Sequence, residues 1–227
     1  TGTLQPIQEI SRITGEYNIP LHTDAAQAVG KMIVDVNDLG VDLLSVAGHK
    51  LYGPKGVGAL FIREGRSITP LIHGAGQESG RRAGTENVIL SSGLGAACRV
   101  AREKLMGGIK EMKAFRDRLQ ELLFSGINDL VLNGHQEERL PNTLNVSVPG
   151  IEGNRILDGL PTLSASTGAA CHDRAVTLSN VLSAMSVTPE VGMGALRLTV
   201  GRSNTMDQIE EAAGLIIDRV REMRGLA

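Results

Sequence analysis

Lys50 ends the run Val41-Asp-Leu-Leu-Ser-Val-Ala-Gly-His-Lys50 and is followed at once by Leu-Tyr-Gly-Pro-Lys-Gly-Val-Gly58. An apolar strand that stops at Gly48-His49-Lys50 and gives way to a glycine-rich turn holds one amine at a strand's carboxyl end. Upstream, Ile19-Pro-Leu-His-Thr-Asp24 ends on a carboxylate, followed by Ala25-Ala-Gln27. An amine and a carboxylate at neighbouring strand ends can hold an aldehyde cofactor with a ring nitrogen, and pyridoxal phosphate is the candidate. Asp24 then keeps the pyridine nitrogen protonated, and Gln27 reaches the phenolic oxygen from the first turn of a helix expected at Ala25. Plainer readings stand beside these: Lys50 as a surface lysine, Asp24 as a helix cap, and His49 as a core histidine rather than a phosphate donor.

Other candidates lie further along. Thr85 closes Gly74-Ala-Gly-Gln-Glu-Ser-Gly-Arg-Arg-Ala-Gly-Thr85; it suits a helix N-cap, a phosphate contact at a helix N-terminus, or both. Arg81 and Arg82 suit phosphate contacts or a solvated loop. Cys171 lies in Ser164-Ala-Ser-Thr-Gly-Ala-Ala-Cys171-His172-Asp173, read as a mobile loop. An exposed thiol beside an imidazole favours the reactive thiolate. Three consecutive ligands make a poor tetrahedral metal site, so the metal reading of Cys171, His172 and Asp173 is weak. Cys98, within the apolar Leu94-Gly-Ala-Ala-Cys98, is expected in the core. Arg197, alone on the apolar Leu196-Arg-Leu-Thr-Val200, needs a partner, and a substrate carboxylate gripped through two hydrogen bonds would serve.

These residues need strands and helices to hold them. Apolar periodicity predicts a helix over 7–16 and strands over 19–25, 31–36, 42–47, 56–63 and 70–73. The glycine loop at 74–85 comes next, then a helix from 87 to about 124, loosened at Gly107-Gly108. Strands are expected at 130–133, 143–148, 163–166 and 195–200, with helices near 152–160 and 177–186. Thr205-Met-Asp-Gln208 is a capping box that opens a last helix, whose apolar face is Ile209, Ala212, Ala213, Ile216, Ile217 and Val220. Strands alternating with helices predict an α/β fold with a mostly parallel sheet, in residues 1–100, and a smaller α+β domain in 101–227 that carries the cysteine segment.

The 227 residues carry a net charge of -2 and only 2 % aromatics. That balance argues against nucleic-acid partners and an anionic membrane surface, and it leaves no stacking platform for single strands. No apolar run approaches the roughly 20 residues of a membrane span. Two cysteines form no disulfide framework, so a reducing cytoplasm is the expected compartment.

Six phrases occur in one order: His22-Thr-Asp24-Ala-Ala-Gln27; Gly48-His49-Lys50 with Tyr-Gly-Pro-Lys-Gly; Gly76-Gln-Glu78 with Arg82-Ala-Gly-Thr85; Leu140-Pro-Asn-Thr-Leu-Asn145-Val-Ser; Gly168-Ala-Ala-Cys171; and Leu196-Arg197-Leu-Thr-Val-Gly-Arg202. Together they resemble the NifS/IscS-type cysteine desulfurases, which belong with the similar selenocysteine lyases to the class V branch of fold-type I pyridoxal phosphate enzymes. The resemblance runs from residue 1 to the final helix. It implies that Lys50 carries the cofactor and shuttles protons. Asp24 pairs with the pyridine nitrogen, Gln27 with the phenolic oxygen and His49 with the phosphate. Thr85 reaches the phosphate of the other subunit's cofactor, so a homodimer is implied. Arg197 holds the substrate carboxylate, and Cys171 attacks the sulfur of L-cysteine, leaving L-alanine and an enzyme persulfide for a scaffold or carrier protein.

Ala47 stands where many members have a phosphate-binding serine. The chain also lacks the family's N-terminal part, which brings a ring-stacking histidine, a threonine-bearing phosphate loop and an asparagine. A site positioned by all of these together is expected to need that segment supplied. Two alternatives follow: a non-catalytic fragment that only binds or dimerises, and a selenocysteine lyase, which the Ala-Ala-Cys-His phrase also resembles. A loop thiol speaks against a plain aminotransferase.

Overall fold

The computed structural model describes residues 1–167, 169–172 and 175–226, without the side chains of 169–172, 175 and 176. The chain divides into two compact units, Gln5–Met106 and Thr1–Leu4 with Gly107–Ala227.

In the first unit, α1 (Ile7–Glu16) leads into β1 (His22–Asp24), then α2 (Val36–Leu39), β2 (Leu43–Ala47) and β3 (Gly58–Ile62). The sheet order is β1-β2-β3. β1 runs parallel to β2 in the register His22↔Leu43 to Asp24↔Ser45, while β3 runs antiparallel. The sheet is therefore mixed rather than mostly parallel. The ten residues between β2 and β3 are too few for a parallel crossover, which takes a dozen or more. Ala25, Val41 and Leu44 are buried, with Leu21, Val34, Val46 and Phe61 packed around them.

Two expected strands are absent. At 31–36 the Asp35 side chain accepts from Asn37 N–H at 2.8 Å and caps α2, so local capping wins over the apolar alternation. Residues 70–73 form no strand; Leu71 there is 93 % exposed, so no core face fixes an extended pairing. The glycine segment is irregular, as expected, apart from one 3₁₀ turn at Gln77–Gly80.

α3 (Val88–Gly126) is continuous through Gly107-Gly108, and the division between units falls inside it. Its N-cap is Asn87, whose Oδ1 accepts from Leu90 N–H at 3.1 Å, and Thr85 lies two residues outside. Cys98 is exposed, contrary to the core placement expected of it. The inward face at this level is Leu94, Ala97 and Ala101, which lie against Gly48, Gly53 and Gly30, and Cys98 turns out of that stripe.

The second unit contains β4 (Val131–Leu132), β5 (Thr143–Ser147), α4 (Gly153–Asp158), β6 (Ser166–Thr167), β7 (Ala169–His172) and β8 (Ala175–Leu178). α5 (Asn180–Ala184), α6 (Pro189–Gly192), β9 (Ala195–Thr199) and α7 (Met206–Met223) follow. The order β4-β5-β9-β6 makes an antiparallel sheet, with β7 and β8 as a separate antiparallel pair. One sheet face packs on the helices: Leu144, Val146, Leu196 and Leu198 meet Phe115, Leu119 and Leu123 of α3, Ile156 of α4, and Ile209, Ala213, Ile216 and Val220 of α7. The capping box forms as the sequence predicts: Thr205 Oγ1 accepts from Gln208 N–H, and Gln208 Oε1 accepts from Thr205 N–H. Among the described residues, no helix is long and apolar enough to cross a membrane.

Candidate functional site

Asp24 is the last residue of β1 and Ala47 the last of β2, so two parallel strands present their carboxyl ends at one edge of the sheet. That edge is where open α/β sheets bind ligands. No helix starts at Ala25. Residues 26–28 form a turn, with Asp24 Oδ1 accepting from Ala26 N–H at 2.8 Å. The carboxylate thus orders its own turn and keeps its second oxygen outside that bond. His22, two residues back on the same strand face, has Nε2 2.8 Å from Ser45 Oγ.

Past Ala47 the chain tightens into a 3₁₀ turn, Gly48–Leu51, that carries His49 and Lys50. Tyr52 follows in the left-handed region at φ 67°. Gly48 accepts at its carbonyl from Gly53 N–H at 2.9 Å and donates to Val57 O at 3.0 Å. A methyl group at Gly48 would sit 2.7 Å from Val57 O, so only glycine permits this closure without a backbone shift.

Gln27 and His49 are exposed, Lys50 is half-buried and Thr85 is exposed. The side chains of these four residues make no hydrogen bond or ion pair among the described residues. They and Asp24 offer an amine for an aldehyde, a carboxylate for a cationic ring nitrogen, and amide, imidazole and hydroxyl groups for oxygen acceptors. That donor set fits pyridoxal phosphate.

One residue near this edge was missed from sequence. Lys31 is only 7 % exposed and its Nζ donates to the Lys50 carbonyl oxygen at 2.9 Å. Burial first, and the charge of Lys50 second, hold its ammonium below the usual lysine range. The available signal is a single lysine inside the apolar Ala28-Val-Gly-Lys31-Met-Ile-Val34, at the start of the strand expected over 31–36.

Within the second unit, Arg197 lies on β9 between Asn145 of β5 and Ser166 of β6. It is exposed, and its Nη2 donates to Ser166 Oγ at 3.1 Å. Nε and Nη1 form no hydrogen bond among the described residues and can meet an incoming carboxylate. Cys171 is on β7 opposite Val176 of β8. The loop expected there is instead an antiparallel pair, because backbone pairing to Ala175–Leu178 satisfies amides that small side chains leave open. The metal reading of Cys171, His172 and Asp173 falls outside the described side chains. Among the described residues, no group of three or more His, Cys, Asp or Glu could hold a metal ion.

The aminotransferase class-V family pattern matches residues 1–211. A cysteine desulfurase IscS of Dictyoglomus turgidum is 42 % identical over 100 % of this chain and 58 % of its own length. The cysteine desulfurase IscS of Methanosarcina thermophila is 43 % identical over 100 % of this chain and 56 % of its own. Among solved structures, a NifS-like protein superposes with a TM-score of 0.87 at 35 % identity, covering 96 % of this chain and 57 % of that one. The chain therefore spans a little over half the length of the relatives it matches. With the family pattern spanning residues 1–211 and relatives matched along the whole chain, the chain belongs to the aminotransferase class-V family.

Proposed function

We propose that the protein to which this chain belongs is a cysteine desulfurase that uses pyridoxal phosphate held at the β1–β2 edge. The observation that carries the reading is Asp24 and the Lys50 turn at the ends of adjacent parallel strands, with the side chains of Gln27, His49 and Lys50 unbonded among the described residues, in a class-V chain. When bound, the cofactor supplies an electron sink for the substrate's carbon. Lys50 anchors it and then moves a proton between its own amine and the substrate. Asp24 keeps a proton on the ring nitrogen, Gln27 holds the phenolic oxygen, and His49 donates to the phosphate. Thr85 serves the phosphate of a second subunit's site. Arg197 grips the substrate carboxylate with its two unbonded guanidinium nitrogens.

Cys171 acts as a thiolate. Its sulfur forms an S–S bond with the substrate sulfur while the substrate C–S bond breaks. The bonding pair stays on the carbon, which takes a proton and leaves as alanine, and the persulfide passes to an acceptor protein. A reducing compartment, the cytoplasm, suits a thiol that must stay free. In this reading, residues 1–100 belong with the cofactor-binding part and 101–227 with the smaller part bearing Cys171, a partition supported by the division of units near Gly107. A homodimer is supported by apolar side chains on both flanks of the glycine segment: Leu71 and Ile72 before it, Val88 and Ile89 after it, all exposed.

Borohydride reduction with pyridoxal phosphate and a peptide map tests the anchor, with the upstream segment supplied. Label on Lys50, lost in Lys50→Ala, is the expected result, and its absence from Lys50 would reject the reading. Turnover of cysteine and of selenocysteine by Cys171→Ala then separates the chemistries. Loss with cysteine alone identifies the desulfurase, whereas a variant that still consumes both substrates would remove the persulfide step.

A further inference from the structure

The backbone around Lys50 leaves one polar atom that the fold cannot satisfy from the main chain. In the Gly48–Leu51 turn, the Lys50 carbonyl looks for a donor three or four residues ahead. The Gly53 N–H is committed to the Gly48 carbonyl at 2.9 Å, and residue 54 is proline, which has no N–H. An unpaired carbonyl at the end of a helical turn also carries a partial negative charge. Lys31 meets it with its ammonium, 2.9 Å away.

That lysine is costly to bury. It is 7 % exposed, and among the described residues no carboxylate pairs with it. Lys50 is the charged group whose field acts on it. A buried cation without a counter-ion persists only where a specific acceptor holds it. The turn that carries Lys31 is seated against the same segment: Gly30, at φ +79°, brings the chain to where an added methyl would stand 3.4 Å from Leu51 Cβ. Lys31 N–H donates to Ala28 O and Met32 N–H to Ala28 O, each at 3.0 Å, so the base of the side chain is fixed at both ends.

We infer that Lys31 is a positioning residue for Lys50: its buried ammonium clamps the Lys50 carbonyl and fixes the peptide from which the reactive amine extends. This rests on the functional reading for its consequence, but the clamp itself is independent of any cofactor. A charge-assisted bond of this kind orders the backbone more firmly than a neutral one. Loss of the clamp lets the one-turn helix reorient and spoils the approach of the amine to an aldehyde.

Two measurements on the chain decide it. The first uses no cofactor: the Lys50 carbonyl carbon, labelled with ¹³C, is followed by NMR through a pH titration. The expected signal shifts as Lys31 loses its proton, below the ordinary lysine value of about 10.4. The titration step disappears in both Lys31→Met and Lys31→Arg, because a guanidinium keeps its proton, while Lys31→Arg, with a donor still in place, keeps the resonance near its position in the protonated wild type. The second is the rate of reductive methylation by formaldehyde at Lys50, relative to Lys55 in the same sample. Lys31→Met is expected to slow Lys50 about tenfold, the scale of one charge-assisted bond. Lys31→Arg is expected to restore most of the rate, and Lys55 stays unchanged in both. A Lys50 carbonyl that ignores Lys31→Met, or a Lys50 rate equal to wild type in a folded Lys31→Met chain, overturns the inference. Failure of pyridoxal phosphate to label Lys50 in the wild type counts against the functional reading alone, because neither measurement uses it.

Discussion

Asp42 links β1, which ends on Asp24, to β2, which leads into the Lys50 turn, and its removal is the sharpest test of how that edge is held. It opens the turn into β2 and is buried. Its Oδ2 accepts from Leu21 N–H at 2.9 Å, just ahead of β1, and its Oδ1 accepts from Arg66 Nε at 2.8 Å. Asp42→Ala leaves the half-buried Leu21 amide without an acceptor, which costs about 1–3 kcal/mol. The Arg66 side chain is 38 % exposed, so that ion pair adds only about 0–1 kcal/mol. The expected loss is about 2–3 kcal/mol. Asp42→Asn, which can still accept from Leu21, should lose about 1 kcal/mol.

The pH dependence has a definite sign. The Leu21 amide foremost, with Arg66 and Arg63, holds the Asp42 carboxyl below the usual range in the folded protein, against a smaller opposing effect of burial. The contribution is therefore complete above the unfolded value of about 3.9 and is lost as pH falls through the lower folded value. Urea unfolding with hydrogen exchange at the Leu21, Leu43 and Ala25 amides reports on this sheet alone. A loss under about 1 kcal/mol at pH 7 would refute the reasoning. So would a gap between wild type and Asp42→Ala that stays constant as pH is taken below the unfolded value of about 3.9.

Two further outcomes follow from the same structure. Gly48→Ala forces a methyl to 2.7 Å from Val57 O and 3.1 Å from Val57 Cγ1; it should destabilise the first unit by about 1–3 kcal/mol and reduce cofactor labelling of Lys50, measured by urea unfolding and peptide mapping. Thr205→Ala removes the side-chain half of the capping box on α7 and should cost about 1 kcal/mol in urea unfolding, with no change in Lys50 labelling.

Much of the geometry of the candidate site is legible from residues alone, because strand ends and glycine turns are local signals. Lys50, Asp24 and Gln27 were singled out from runs of ten residues or fewer, and the structure places Asp24 and the Lys50 turn at the ends of adjacent strands. The errors were of another kind. The strand expected at 31–36 hid the Lys31 contact, since apolar alternation cannot tell a strand from a capped turn whose lysine folds inward. Cys98 was assigned to the core from its apolar neighbours, but helix phase relative to Gly48 and Gly53 decides which side faces in. The segment of Cys171 looked like loop because its small residues show no period, and pairing with β8 supplies the order that pattern lacks.

The amino-acid sequence by itself determined which groups are available: an amine after an apolar strand, a carboxylate after another, a thiol among small residues and an arginine on an apolar strand. It also determined the capping box of α7, whose partners are three residues apart. Only the tertiary structure decided the parallel register that puts Asp24 opposite Ser45, and the burial of Lys31 against the Lys50 carbonyl. Both join residues about twenty positions apart. Contacts at that separation depend on which chain segments pack together, and no local pattern of residue types encodes that choice.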